Sequence, residues 1–275
     1  MAGPDEFVES STTEEQLTED NSFQNLSLSP HDVLKKAPRT TCTGTCGKKR
    51  RYYCAECLVP LLPTLEQFPS VELPVQIHIL QSYAEVPQRS TAQHVALLAP
   101  DYAHIWRPFP ECVPEFEQRV TKGAKTGTVA LLFPGDEALS PEQAVAQLPN
   151  LEHVIVLDAS WTKSTVLLCE PIFKELPRLT LPAGARSRFW RYAPKRSEQS
   201  EFFSPDKVES LVSTVEAVHR FCEAYNIALG KSSGLCDNLL WLFAFLHGRV
   251  KNVYDNAPQK RRRLMSKSKG MLDHL

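Results

Sequence analysis

At 275 residues and 42% apolar, the chain is long enough to bury one large core, with room for a small appended module. Its longest apolar run, residues 239–246, is far short of the roughly 20 residues that span a bilayer, and the N-terminus lacks a basic start followed by an apolar stretch, so neither a membrane anchor nor a secretory leader is expected. The formal net charge of −1 hides an asymmetry: residues 1–34 hold seven carboxylates besides Asp32 and no Lys or Arg, and setting those seven aside leaves 25 acidic against 31 basic residues, a net of +6.

A basic body suits a phosphate-rich partner, although a solvated surface gives the same balance. In the reducing setting expected of an intracellular protein, the eight cysteines favour metal binding or burial over disulfides. Residues 1 to about 30 are rich in Ser, Thr, Glu and Asp with few large apolar groups, the composition of a disordered tail, which is taken to run to residue 34. A short helix is expected over Asp32–Lys36.

Residues 42–57 read CTGTCGKKRRYYCAEC, placing Cys42, Cys46, Cys54 and Cys57 at C-x3-C-x7-C-x2-C. Two close thiolate pairs joined by a short basic hairpin suit a tetrahedral zinc site of the ribbon type, with 35–66 as its module. Four unrelated cysteines are the alternative. Four thiolates leave no open coordination position, so such a zinc is structural.

From residue 70 onward, strands alternate with helices. Residues 75–80 (VQIHIL), 128–133 (TVALLF) and 151–157 (LEHVIVL) read as buried strands. Residues 91–98, 141–148, 164–170, 211–225 and 238–246 read as helices, the second with Ser140 as N-cap and Pro141 at its first position. Apolar strands separated by helices argue for an α/β fold with a mainly parallel sheet over 67–250. Residues 251–275 form a basic tail containing Lys260-Arg261-Arg262-Arg263, which fits a nuclear localisation signal, a nucleic-acid-binding tail or a solvated terminus.

Ligands of open α/β sheets sit outside the carboxyl ends of the strands. Two such ends carry suggestive residues: Leu131-Leu132-Phe133-Pro134-Gly135, a turn able to approach a cofactor, and Leu157-Asp158-Ala159-Ser160-Trp161, which presents a carboxylate, a hydroxyl and an indole. Plain alternatives stand beside each: a turn, a helix cap, a core tryptophan. Ser213, Thr214 and Glu216 either line a site or form a capping pair. In the loop Glu85-x-x-x-Arg89-Ser90-Thr91, an N-cap at Ser90 or Thr91 is the plain alternative to a site role. Residues 184–196 (GARSRFWRYAPKR) interleave Arg186, Arg188, Arg191, Lys195 and Arg196 with three aromatic rings and no acid. Cations meet phosphates and rings stack on unpaired bases, which suits RNA; a solvated loop is the alternative.

Taken in order, the cysteine cluster, LLFPG, LDASW, STVEA at 213–217 and the Glu85–Thr91 loop resemble the DTW-domain family of tRNA-uridine aminocarboxypropyltransferases from about residue 40 to 250. Two departures are Ser160 where the family has Thr, which keeps the hydroxyl, and a first cysteine gap one residue longer than usual. The resemblance implies a SPOUT-like fold with a knotted C-terminal region, S-adenosylmethionine as cofactor and tRNA as partner; it leaves the oligomeric state open, with a monomer favoured, and together with the Lys260–Arg263 cluster it points to the nucleus, with the cytoplasm as a further location. It implies transfer of the 3-amino-3-carboxypropyl group to N3 of a uridine near position 20 of the D-loop, with release of methylthioadenosine. In that reading Asp158 is the acid/base group, or it binds the cofactor or orients the uracil. Ser160 and Trp161 shape the pocket beside it. Leu131, Phe133, Pro134, Gly135, Ser213, Thr214 and Glu216 complete the cofactor site. Two other functions share much of the pattern: a SPOUT-type RNA methyltransferase, and a non-catalytic RNA-binding zinc protein.

Overall fold

The computed structural model describes residues 23–62, 68–121, 127–182, 187 and 212–255; for 161, 162 and 253–255 it describes the backbone alone. Helix α1 (Asp32–Lys36) leads into two small antiparallel ladders, β1 (Thr40–Thr41) with β2 (Lys49–Arg50) and β3 (Tyr53–Cys54) with β4 (Val59–Pro60). The main domain follows as β5 (Gln76–Ser82), α2 (Ala92–Leu98), β6 (Ala103–Phe109), α3 (Val113–Phe116), β7 (Val129–Leu132), α4 (Pro141–Gln147), β8 (His153–Asp158), α5 (Trp161–Leu167) and β9 (Arg178–Leu179). Two long helices close the described chain, α6 (Thr214–Ala228) and α7 (Trp241–Asp255).

The five long-range strands form one sheet in the order β6-β5-β8-β7-β9, and all four pairings are parallel. The expected α/β class is therefore found. Continuous apolar strands are what a sheet covered on both faces requires. Ile77, Ile79, Ala130, Leu132, Val154 and Val156 face a core shared with α2, α6 and Trp241. The alternate residues Leu80, Val129, Leu131 and Ile155 face a second core closed by Phe116, Leu167 and Phe173. Helix α4 starts where expected: Ser140 accepts from the Gln143 amide, and the Gln143 side chain answers the Ser140 amide.

Several elements depart from expectation, among them the helices expected over 164–170 and 238–246, which lie at Trp161–Leu167 and Trp241–Asp255. Strand β6 was not legible, because Arg107 and Pro108 interrupt its apolar pattern; as an edge strand it tolerates the proline. Helix α6 starts at Thr214 rather than 211. Residues 23–34, expected within the disordered tail, pack against the domain instead. Phe23 meets Phe243 edge-on at 5.9 Å, the Ser27 amide donates to Asp237 Oδ2 (2.7 Å) and the Ser29 amide to Asn238 Oδ1 (2.8 Å). The buried Trp241 indole N–H donates to the Ser29 carbonyl at 3.0 Å. Scattered Phe and Leu residues in an acidic context hide this docking from a compositional reading. Trp241→Phe keeps a ring but removes that donor, so amide exchange at Ser27 and Ser29 is expected to rise about fivefold, the worth of one hydrogen bond, while Ile79 and Val156 stay protected. Unchanged exchange there would show that the indole does not anchor the segment.

On the second face, Trp106 Nε1–H donates to Nδ1 of buried His78 (3.2 Å), which leaves His78 Nε2–H to donate to His153 Nδ1 (3.0 Å). Burial, reinforced by His153 and His104, lowers the His78 pKa to about 3. Below the ordinary histidine value of about 6.5, the unfolded chain takes up a proton that the folded chain refuses, so stability rises with pH from about 3 to 6.5. Urea midpoints between pH 5 and 7 are expected to fall on acidification, with a shallower slope in His78→Gln. Equal slopes would remove His78 from the account.

Candidate active site

From β5 the chain crosses to β6 on one flank of the sheet; from β8 it crosses past β7 to β9 on the other. The connections leaving β5 and β8 thus part, the topology in which open α/β sheets place ligands at the carboxyl ends of neighbouring strands. Gln81 and Asp158 are register partners at that point. Asp158 is only 5% exposed. Its Oδ2 accepts from Gln81 Nε2 (2.8 Å) and Ser90 Oγ (2.7 Å), and its Oδ1 from Thr214 Oγ1 (2.6 Å). One carboxylate thereby joins the end of β5, the loop before α2 and the start of α6. A carboxylate offers about four acceptor positions; three are filled, and the fourth lies on Oδ1.

Neighbouring side chains lock this hub. Ser90 Oγ also accepts the Ala92 amide at 3.0 Å, so its capping role and its bond to Asp158 coexist. Thr91 Oγ1 accepts the Val215 amide at 3.2 Å and caps α6 from across the fold. Glu216, fully buried, accepts from the Ser213 amide (3.0 Å), Ser213 Oγ (2.7 Å) and Ser187 Oγ (2.7 Å). Ser213 and Glu216 are therefore held in a capping box at the start of α6. The Leu131 side chain lies fully buried in the core beneath the sheet, because odd-numbered positions of β7 face inward there. Phe133 is half-buried, and Pro134, Gly135 and Ser160 are exposed beyond the ends of β7 and β8. A Cβ on Gly135 would stand 3.1 Å from Arg178 Nη1, so the turn is narrow. The Trp161 side chain lies outside the described residues, as do Arg186, Arg188, Arg191, Lys195 and Arg196.

The four cysteines converge. The sulfurs of Cys42, Cys46, Cys54 and Cys57 all lie within 4.8 Å of one another, with Cys46 Sγ 3.4 Å from Cys54 Sγ. Four sulfurs about 2.3 Å from a tetrahedral zinc stand about 3.8 Å apart, so the donor set fits that ion. The Gly44 amide points at Cys42 Sγ (3.3 Å), and a Cβ on Gly44 would come within 2.7 Å of Cys57 Cβ; only glycine lets this loop close over the sulfurs.

A model of the DTW domain matches residues 51–251. The chain belongs to the DTW-domain family. The match spans both the sheet and the Asp158 hub, and it begins inside the cysteine cluster, at Cys54 and Cys57 rather than Cys42 and Cys46. Among curated relatives, tRNA-uridine aminocarboxypropyltransferase 1 of Mus musculus is 28% identical, covering 86% of each chain. The Homo sapiens protein of the same name is 28% identical over 90% of this chain and 89% of its own, and that of Xenopus tropicalis 25% identical over 87% and 90%. No solved structure matches the chain.

In this DTW-domain protein the cysteine module is wired to the hub. Arg107 donates to the Glu56 carbonyl, to the Ala55 carbonyl (3.5 Å) and to Gln81 Oε1 (3.4 Å). Gln88 Nε2 donates to Glu56 Oε1 at 2.6 Å. The Glu56 carboxyl is held below the usual carboxylate range, chiefly by its hydrogen bond from Lys48. Tyr53 Oη lies 3.0 Å from Nε2 of His94, whose pKa burial lowers to about 4. Gln81, Arg107, Tyr53 and His94 were missed in sequence because nothing in their spacing relates them. The only signal was the placement of Gln81 at a strand's end.

Proposed function

We propose that this DTW-domain protein transfers the 3-amino-3-carboxypropyl group of S-adenosylmethionine to N3 of a tRNA uridine, near position 20 of the D-loop, releasing methylthioadenosine. The single observation that carries this reading is the DTW-domain match across 51–251, whose central strand end delivers Asp158 to the switch point. The relatives' shared name supplies the substrate and the group transferred. When bound, S-adenosylmethionine supplies an electrophilic carbon attached to its sulfonium. The exposed turn Phe133-Pro134-Gly135 and Ser160, with Trp161 beside it, would hold the cofactor.

Among the roles open to Asp158, orientation fits best. Three donors already fix it between β5, the 85–91 loop and α6, and its one remaining acceptor position can receive a ligand N–H. Preorganisation of this kind converts binding into correct alignment. Arg186, Arg188, Arg191, Lys195 and Arg196 are assigned to tRNA phosphates, the four cysteines to a structural zinc, and the Lys260–Arg263 cluster to nuclear import. A SPOUT-like knotted C-terminal region belongs to the same reading, which the all-parallel sheet supports. Separate labels in the methyl and carboxyl carbons of S-adenosylmethionine test the chemistry. The carboxyl label is expected to enter tRNA and the methyl label to remain in the nucleoside by-product; the reverse pattern would make the protein a methyltransferase.

A further inference from the structure

Between residues 33 and 55 the chain holds seven Lys and Arg and no Asp or Glu. The β1–β2 ladder sorts these charges. Thr40 pairs with Arg50 and Thr41 with Lys49, and successive side chains of a strand point to opposite faces. Lys48 and Arg50 therefore share one face, where they meet Glu56: Lys48 Nζ stands 2.7 Å and Arg50 Nη2 3.7 Å from Glu56 Oε1. Gln88, from the loop before α2, reaches the same carboxylate. This inner face is neutralised and tied to the loop that carries Ser90.

Lys49 and Arg51 lie on the other face, and Arg39, one residue before β1, stands opposite Arg51 where the register continues. Arg39 and Lys49 are exposed, as is Lys36 at the end of α1. Arg51 is half-buried, its guanidinium carbon 5.9 Å above the Tyr52 ring, which holds the charge in place. Asp32 is taken by Lys35 and Glu56 by the inner face, and among the described residues no carboxylate pairs with Lys36, Arg39, Lys49 or Arg51. Like charges facing each other across a ladder cost stability, a cost that a polyanion bound there relieves.

Composition and placement select the partner. Among the described residues, the exposed large apolar side chains all lie outside 35–62. The face thus lacks the hydrophobic half that a membrane surface or a protein partner would use. Lys and Arg without acids or apolar groups suit a phosphate backbone. Arg107 donates to the Ala55 and Glu56 carbonyls and to Gln81 Oε1, and Gln81 donates to Asp158. Two side chains therefore link the module to the hub, which brings its outer face within reach of a substrate as large as tRNA.

We propose that this outer face of the cysteine module is a docking surface for the tRNA sugar–phosphate backbone, gripping it away from the reacting uridine. The inference rests on the tRNA-modifying reading above and gives the module a task besides supporting the hub.

The test is the salt dependence of tRNA binding by the full chain, compared between the wild type and Arg39→Gln/Lys49→Gln. Each phosphate contact contributes about 0.7–0.9 to the slope of log Kd against log salt. The double variant is expected to lose about 1.4–1.8 of that slope and to bind about 10-fold more weakly at about 0.1 M salt. Its melting temperature and its kcat at saturating tRNA should stay unchanged, because the contact is equal in the ground and transition states. Equal Kd and slope would leave the face to water or another anion and overturn the assignment. A fall in kcat without a change in Kd would overturn it too, marking these residues as supports of the hub. If the double variant melts early, Arg39→Gln alone, outside the cysteine span, is expected to show half the slope change. Weakened binding with no aminocarboxypropyluridine from either protein would sink the reaction reading and keep the surface; product from both with equal Kd would do the reverse.

Discussion

Asp158→Asn is expected to lower aminocarboxypropyl transfer at least about 100-fold, with the protein still folded and its metal content unchanged. The two side chains are nearly isosteric, but the amide has one acceptor oxygen where the carboxylate has two. Facing Gln81 Nε2, its NH2 would set donor against donor; facing Thr214 Oγ1, it reverses that hydrogen bond, since the hydroxyl can turn to accept. The second orientation keeps the three segments joined but removes the negative charge and the Oδ1 acceptor position offered to a ligand. Alanine is a poorer probe, because it strands three donors in a buried place at about 1–3 kcal/mol each and confounds activity with stability. Transfer rates read beside the melting temperature separate the two. An Asp158→Asn protein with full activity would remove Asp158 from the site.

The second large effect concerns the metal. Purified protein under reducing conditions is expected to carry one zinc per chain, and stripping it should unfold the module. Structural zinc contributes on the order of 10 kcal/mol or more to small cysteine-bound folds. Because Arg107 links the Ala55 and Glu56 carbonyls to Gln81, and Gln88 links Glu56 to the loop that carries Ser90, the loss should reach the hub. Cys54→Ala is expected to abolish both zinc binding and transfer, whereas Arg107→Ala should keep the zinc and lose most of the transfer. Metal analysis that finds no zinc would contradict the first statement; an Arg107→Ala protein with full activity would contradict the second.

Local chemistry was what the sequence displayed best. Ser140-Pro141-x-Gln143 announced a helix start, and the three apolar runs announced strands of a doubly covered sheet, since each signal is contained within a few residues. Asp158 was recognisable because a carboxylate after an apolar run is unusual. Its partners were not, because Gln81, Ser90 and Thr214 meet it only once β5 pairs with β8 and α6 packs back across the sheet. The same distance effect hid Arg107, which sits on an edge strand that proline disguises, and the Tyr53–His94 pair, which joins two modules. Glu216 and Ser213 were legible as a pattern with two meanings, of which the capping box is the one the geometry displays.

The most direct test of the central claim is to incubate the protein with S-adenosylmethionine and unmodified tRNA, then analyse nucleosides and small products by mass spectrometry. Aminocarboxypropyluridine together with methylthioadenosine is the predicted result. Methyluridine with S-adenosylhomocysteine, or intact tRNA despite bound cofactor, would contradict it.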